Sequence, residues 1–156
     1  MLFRSPGGRY LYANETIARR LSRFPINAGH LGSRETVVEY LDGVVPDGFE
    51  FDSEGAVWCA SVMSNRLVRV TADGEQQVVL EDCDPEAIAD GMEHWRAGTF
   101  TRDHMNIGAP KFLANIASVT FGGRDLKTVY LGSLFGRSLF TFRSPVAGVK
   151  PPHWHF

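Results

Sequence analysis

Asp47 stands between Pro46 and Gly48 in the run VVPDGFEFDSEGAVWCAS, Val44 to Ser61. Pro-Asp-Gly is the composition of a tight turn, with Asp bonding nearby backbone. A carboxylate displayed on a turn is also an oxygen ligand for a hard cation. His153 and His155 form His-Trp-His at the C-terminus. Alternation along an extended chain puts both on one side. They read either as a transition-metal pair, with no third ligand nearby in sequence, or as edge or tail residues. Cys59 lies in an apolar run and reads as a small core residue. Cys59 and Cys83, the only cysteines, have no C-x-x-C spacing. Neither a zinc site nor a disulfide framework is indicated, and a reducing cytoplasm is the expected compartment. No Gly-x-Ser-x-Gly or Ser-His-Asp arrangement is evident, which argues against a serine hydrolase.

The chain that must position these residues has 156 of them, enough for one domain. A formal charge of −2 without a basic patch argues against nucleic acid and against an anionic membrane surface. No apolar run approaches the roughly 18 residues that span a bilayer, and MLFRSPGG lacks the pattern of a signal peptide. Sixteen Gly, eight Pro and a 12% share of aromatics point to many turns and short strands.

Those strands repeat. SPGGRYLYANETIARRLSRF (Ser5 to Phe24), FDSEGAVWCASVMSNRLVRV (Phe51 to Val70) and FGGRDLKTVYLGSLFGRSLFTF (Phe121 to Phe142) align. Each reads as a Gly-containing turn, an apolar-aromatic strand, a polar loop and a second strand. RETVVEY and EQQVVL supply a further strand after the first two units. MLFRS, GFEF and ASVTF supply a preceding one. The spacing predicts an all-β chain of about three four-stranded antiparallel blades of a β-propeller, forming one partial domain over 1–156. A β-sandwich is the rival. Residues of about 82–114 predict a short helical insertion, with Asp84 as cap, Pro85 in the first turn, Gly98 past the end, and Ile88, Met92 and Trp95 on one face. Either it forms a lid with His94, Trp95 or His104 toward the channel, or it packs on the propeller side through that apolar stripe.

The run LGSR…VPDG…DSEGAVW, followed by NRLVRV, resembles the SMP-30/gluconolactonase/LRE (regucalcin-like) family, and FGGRDLKTVY supports the likeness. The resemblance implies a six-bladed propeller about twice this length, with this chain as its C-terminal half. It implies a divalent metal at one mouth of the channel, Ca²⁺ first, with Zn²⁺, Mn²⁺ and Mg²⁺ admissible. Its ligands would be a Glu, an Asn and the Asp of Pro-Asp-Gly. Only that Asp is matched, as Asp47. By the internal repeat the Asn falls immediately before Met1, and the third unit places Ala117 there. The expected function is a metal-dependent lactone (ester) hydrolase of gluconolactonase type, seen as a truncated C-terminal half. The alternative is a non-catalytic propeller fragment acting in binding or assembly. Up-and-down blades put Asn14, Glu15, Ser61 to Asn65 and Ser133 to Arg137 around the mouth that holds Asp47. Asn14, Glu15 and Arg137 are therefore expected to face a small lactone or ester substrate, with solvated loop charge as the competing reading for Glu15 and Arg137. Asp52, Asp73 and Asp125 read as turn formers. No general base is assigned. A homodimer completing the ring is the second route to closure.

Overall fold

The computed structural model describes residues 2–150. His153 and His155 lie outside them. Three antiparallel sheets follow one another along the chain. The first holds β1 (Leu2–Arg4), β2 (Tyr10–Glu15), β3 (Arg20–Asn27) and β5 (Glu35–Glu39), with β4 (His30–Leu31) curling back on the end of β3. The second holds β6 (Pro46–Phe51), β7 (Val57–Ser61), β8 (Arg66–Val70) and β9 (Gln76–Leu80) in up-and-down order.

Between the second and third sheets lie α1 (Pro85–Arg96) and a short α2 (Arg102–Met105). The third sheet holds β10 (Ile116–Gly122), β11 (Thr128–Ser133) and β12 (Phe140–Arg143). Two of the three sheets have the expected four blade strands. Among the described residues the third has three, and its last strand begins at Phe140, later than RSLFTF predicts.

Burial along the strands explains the stacking. The middle sheet is covered on both faces, so β7 is buried at every position. Val57 and Cys59 pack toward the first sheet, in a core with Leu21, Phe49, Phe51, Val68 and Val70. Trp58 and Ala60, alternating with them, pack toward the third sheet with Ile116, Val119, Phe121, Val129 and Leu131. In the third sheet β10 and β11 alternate in burial instead, as strands with one covered face do.

The first strands of neighbouring sheets approach closely. Phe3 of β1 meets Phe49 of β6 edge to face at 5.1 Å. A Cβ on Gly48 would lie 2.5 Å from the Ala117 carbonyl oxygen and 2.8 Å from Ser118 Cα of β10. Strands β6 and β10 therefore run side by side at backbone distance without a ladder between them.

In α1, Asp84 accepts from the Glu86 and Ala87 N–H groups, Pro85 occupies the first turn, and Gly98 follows the end at φ +71°. Ile88 and Met92 pack on Val45, Val62 and Met63, with Trp95 against the same cluster. The apolar stripe thus faces down onto the loops at the start of β6 and between β7 and β8. No helix among the described residues is long and apolar enough to cross a membrane.

Candidate functional site

Asp47 does not sit on a free turn. Pro46–Phe51 is strand throughout. The register against β7 slips between Pro46, opposite Ser61, and Phe49, opposite Cys59. Asp47 and Gly48 therefore face one residue of β7 and form a bulge, which re-aims a side chain at a sheet edge. The reading of Pro-Asp-Gly as a turn preceding the strand is corrected accordingly. The third sheet has the same device: its register slips between Ile116 and Ser118, so the bulge falls at Ala117, the position the repeat makes equivalent to Asp47.

The connection leading into Asp47 is pinned from three sides. Arg19 donates to the carbonyls of Tyr40 at 3.2 Å, Leu41 at 2.6 Å and Val44 at 3.1 Å. Arg66 donates to the Asp42 carbonyl at 2.7 Å. The Val45 N–H donates to Ser61 Oγ at 3.0 Å, and Ser61 meets Ser64 at 2.9 Å. Arg19 and Asn65 hold positive φ angles of 50° and 48° just before β3 and β8, which bends both hairpins alike.

The Asp47 carboxylate itself has no hydrogen-bond or ion-pair partner among the described residues, and the side chain is half-buried. Burial pushes its carboxyl above the usual carboxylate range. The same happens to Glu50, three residues on along β6, a carboxylate that sequence reasoning passed over. Nothing in its local pattern marks it, because its half-buried state depends on the neighbouring sheets.

Asn14 is buried, and its carboxamide is committed to protein atoms. It donates to the Asp47 carbonyl at 2.9 Å and to Cys59 Sγ at 3.2 Å, and accepts from the Tyr40 hydroxyl at 2.8 Å. It ties the first sheet to the backbone of Asp47. Cys59 is wholly buried, and that burial pushes its thiol to about 11, so it stays protonated and unreactive at neutral pH.

Glu15 ends β2. Its carboxylate accepts from Arg20 at 2.8 and 2.6 Å and from Ser22 Oγ, with Arg34 3.6 Å away. The Arg20 hydrogen bonds above all, then that of Ser22, hold it down to about 2. A carboxyl depressed on folding stabilises the fold above its unfolded pKa, and that stabilisation is lost as pH falls toward the folded one. We therefore expect Glu15→Gln to remove stability at pH 7 but little near pH 2, the difference shrinking in high salt. Urea midpoints at the two pH values check this. Arg137 lies exposed on the β11–β12 loop and has no ion pair among the described residues. The structure thus brings Asn14 to Asp47 through backbone, and leaves the side chains of Glu15 and Arg137 at separate turns.

His94 and His104, considered for a channel-facing lid, stack on each other with ring centroids 4.2 Å apart.

Residues 2–82 match the family model described as SMP-30/Gluconolactonase/LRE-like region. The chain belongs to that family. It is 31% identical over 110 residues to the 6-deoxy-6-sulfogluconolactonase of Pseudomonas putida, covering 67% of this chain and 38% of that protein. Among solved structures it aligns with a luciferin-regenerating enzyme at TM-score 0.62 and 17% identity, over 96% of this chain and 47% of that one. It also aligns with regucalcin from Agrobacterium tumefaciens, a calcium-binding protein, at TM-score 0.59 and 19% identity, over 94% and 45%. The three sheets are therefore blades of this family's propeller fold, and the chain spans less than half the length of the relatives it matches.

Proposed function

We propose that this chain supplies three blades and one metal ligand, Asp47, to a metal-dependent lactone hydrolase of gluconolactonase type. The observation that carries the reading is the Asp47 carboxylate: half-buried, without a side-chain or backbone partner among the described residues, and aimed by a bulge between pinned loops. Burying an acid without a partner costs stability, so a cation is the kind of group that would justify it. Calcium takes six to eight oxygens, and Asp47 is one of them. The remaining ligands belong to blades beyond these three, in a longer protein or a second copy of the chain. A bound divalent metal would polarise the lactone carbonyl. This chain's part is to hold the Asp47 oxygens in place, through Asn14 on its backbone and through Arg19, Arg66 and Ser61 on the preceding loop.

Asp47→Asn separates stability from binding. A carboxyl raised on folding favours the fold fully below its unfolded pKa, and that support is lost as pH rises through the folded one. The neutral amide should therefore stabilise the metal-free protein at pH 7 by a few tenths of a kcal/mol after allowance for solvent screening, and do nothing at pH 3. It should abolish any rise in melting temperature on adding Ca²⁺ or Mn²⁺, and any metal-dependent hydrolysis of a lactone panel. If Ca²⁺ and Mn²⁺ neither stabilise the protein nor promote hydrolysis, the reading fails for this chain.

One observation favours the second reading, a non-catalytic module for binding or assembly: among the described residues, Asp47 alone answers to the proposed ligand set. Native mass spectrometry addresses pairing, since a second copy would bring a second Asp47 related by a two-fold axis.

A further inference from the structure

The insertion carries a cluster that the Asp47 site does not use. Asp90 and His94 stand one turn apart on α1, and α2 brings His104 against them. One ligand atom from each lies within 4.8 Å of the other two. His94 Nε2 is 4.0 Å from the Asp90 carboxylate, while His94 Nδ1 is 2.8 Å from Thr99 Oγ1. Phe100 stacks on the His104 ring at 5.6 Å and meets Trp95 edge to face at 5.0 Å, which holds the imidazole beside α1.

We propose that Asp90, His94 and His104 form a site for a borderline divalent transition metal, of the class of Zn²⁺, Co²⁺ or Ni²⁺. Two imidazoles and one carboxylate suit that class, whereas Ca²⁺ and Mg²⁺ prefer oxygen throughout. Three protein ligands and one water complete a four-coordinate ion. His94 is already oriented: with Nδ1 hydrogen-bonded to Thr99, Nε2 is presented toward Asp90, the arrangement that outer partners give to ligating histidines. His104 resists. Its Nδ1 accepts from the Thr101 N–H at 2.9 Å, so the neutral ring carries its proton on Nε2. Ligation through either nitrogen displaces one of these hydrogens, and the cap of α2 is the contact that yields. A bound ion would link α1 to α2 across residues 97–101 and fasten the insertion over Val45, Val62 and Met63, next to the strand that bears Asp47.

Isothermal titration of the full chain with ZnCl₂, and the visible absorption of added Co²⁺, test this. We expect one site, weakened at least tenfold in His94→Ala and His104→Ala, with Co²⁺ bands showing nitrogen ligation. Asp90→Asn is an exposed change that leaves the fold intact, and it should weaken the site as well. Asp47→Ala should retain it, which separates this site from the lactonase reading. A His153→Ala/His155→Ala variant should also retain it. Zn²⁺ binding that survives His94→Ala and Asp90→Asn, or that disappears in the terminal double variant, would overturn the assignment.

Discussion

Asp52→Ala is expected to cost about 3–5 kcal/mol, the scale for stripping one partner from a buried ionic network. Asp52 is fully buried at the end of β6. Its Oδ1 accepts from the N–H groups of Glu54 at 3.0 Å and Ala56 at 2.9 Å, which closes the turn into β7. Its Oδ2 accepts from Trp58 Nε1 at 2.9 Å and Arg69 Nε at 2.8 Å. Alanine leaves the indole N–H and the Ala56 N–H buried without acceptors, each a loss of about 1–3 kcal/mol. Arg69 is less stranded, because Glu54 takes its other arm at 2.7 Å. The backbone of Asp52 also bridges to Gly148, and Ser53 N–H donates to the Ala147 carbonyl, so the same corner anchors the returning segment. Against a total stability of about 5–15 kcal/mol for a domain, the variant should be largely unfolded or show a sharply lowered urea midpoint. Asp52→Asn keeps an acceptor for the turn and should lose less. A midpoint shift worth under about 1 kcal/mol in the alanine variant would show that the network does not hold the middle blade.

What was legible in the sequence, and what was not, divides along the range of the interaction. Alternation and turn composition are local, so β2, β7 and β11 stand where LYA, VWCA and VYLG predict them. The helix of the insertion is marked by Asp84, Pro85 and Gly98, all local signals. Asp52 was legible as a turn former, which it is. Its partners Trp58 and Arg69 come from two other strands and leave no local trace. The bulge at Asp47 was hidden for a similar reason: Pro-Asp-Gly reads as a turn unless the partner strand is known to continue past it. Asn14 looks from sequence like a loop residue at a mouth. The structure turns it inward, because Tyr40, just past the end of β5, and Cys59 of β7 in the neighbouring sheet converge on it. Asp90 and His94 have helical spacing, but His104 joins them only through the path of residues 97–103, which no periodicity describes.

Gly48→Ala is the substitution expected to disturb the candidate Asp47 metal site most without replacing any proposed ligand residue. Gly48 needs no unusual dihedral, since it is not among the positive-φ glycines. Its constraint is proximity. The new methyl would sit 2.5 Å from the Ala117 oxygen and 2.8 Å from Ser118 Cα, and both neighbours are backbone that cannot rotate away. The second and third blades must then part at their inner strands, or β6 must shift along the bulge. Overpacking of this kind costs about 1–3 kcal/mol, and the rigid neighbours put it toward the upper end. Either relaxation moves Asp47, the adjacent residue, relative to Asn14 and to the loop that Arg19 and Arg66 hold. The variant should therefore show a lowered urea midpoint and, in addition, a Ca²⁺-linked thermal shift smaller than its lost stability explains. Ala117→Gly, made on the opposite side of the contact, leaves the 117 carbonyl in place and should not rescue it. A Gly48→Ala protein with native midpoint would mean that the two inner strands slide freely, and that the bulge does not determine where Asp47 points.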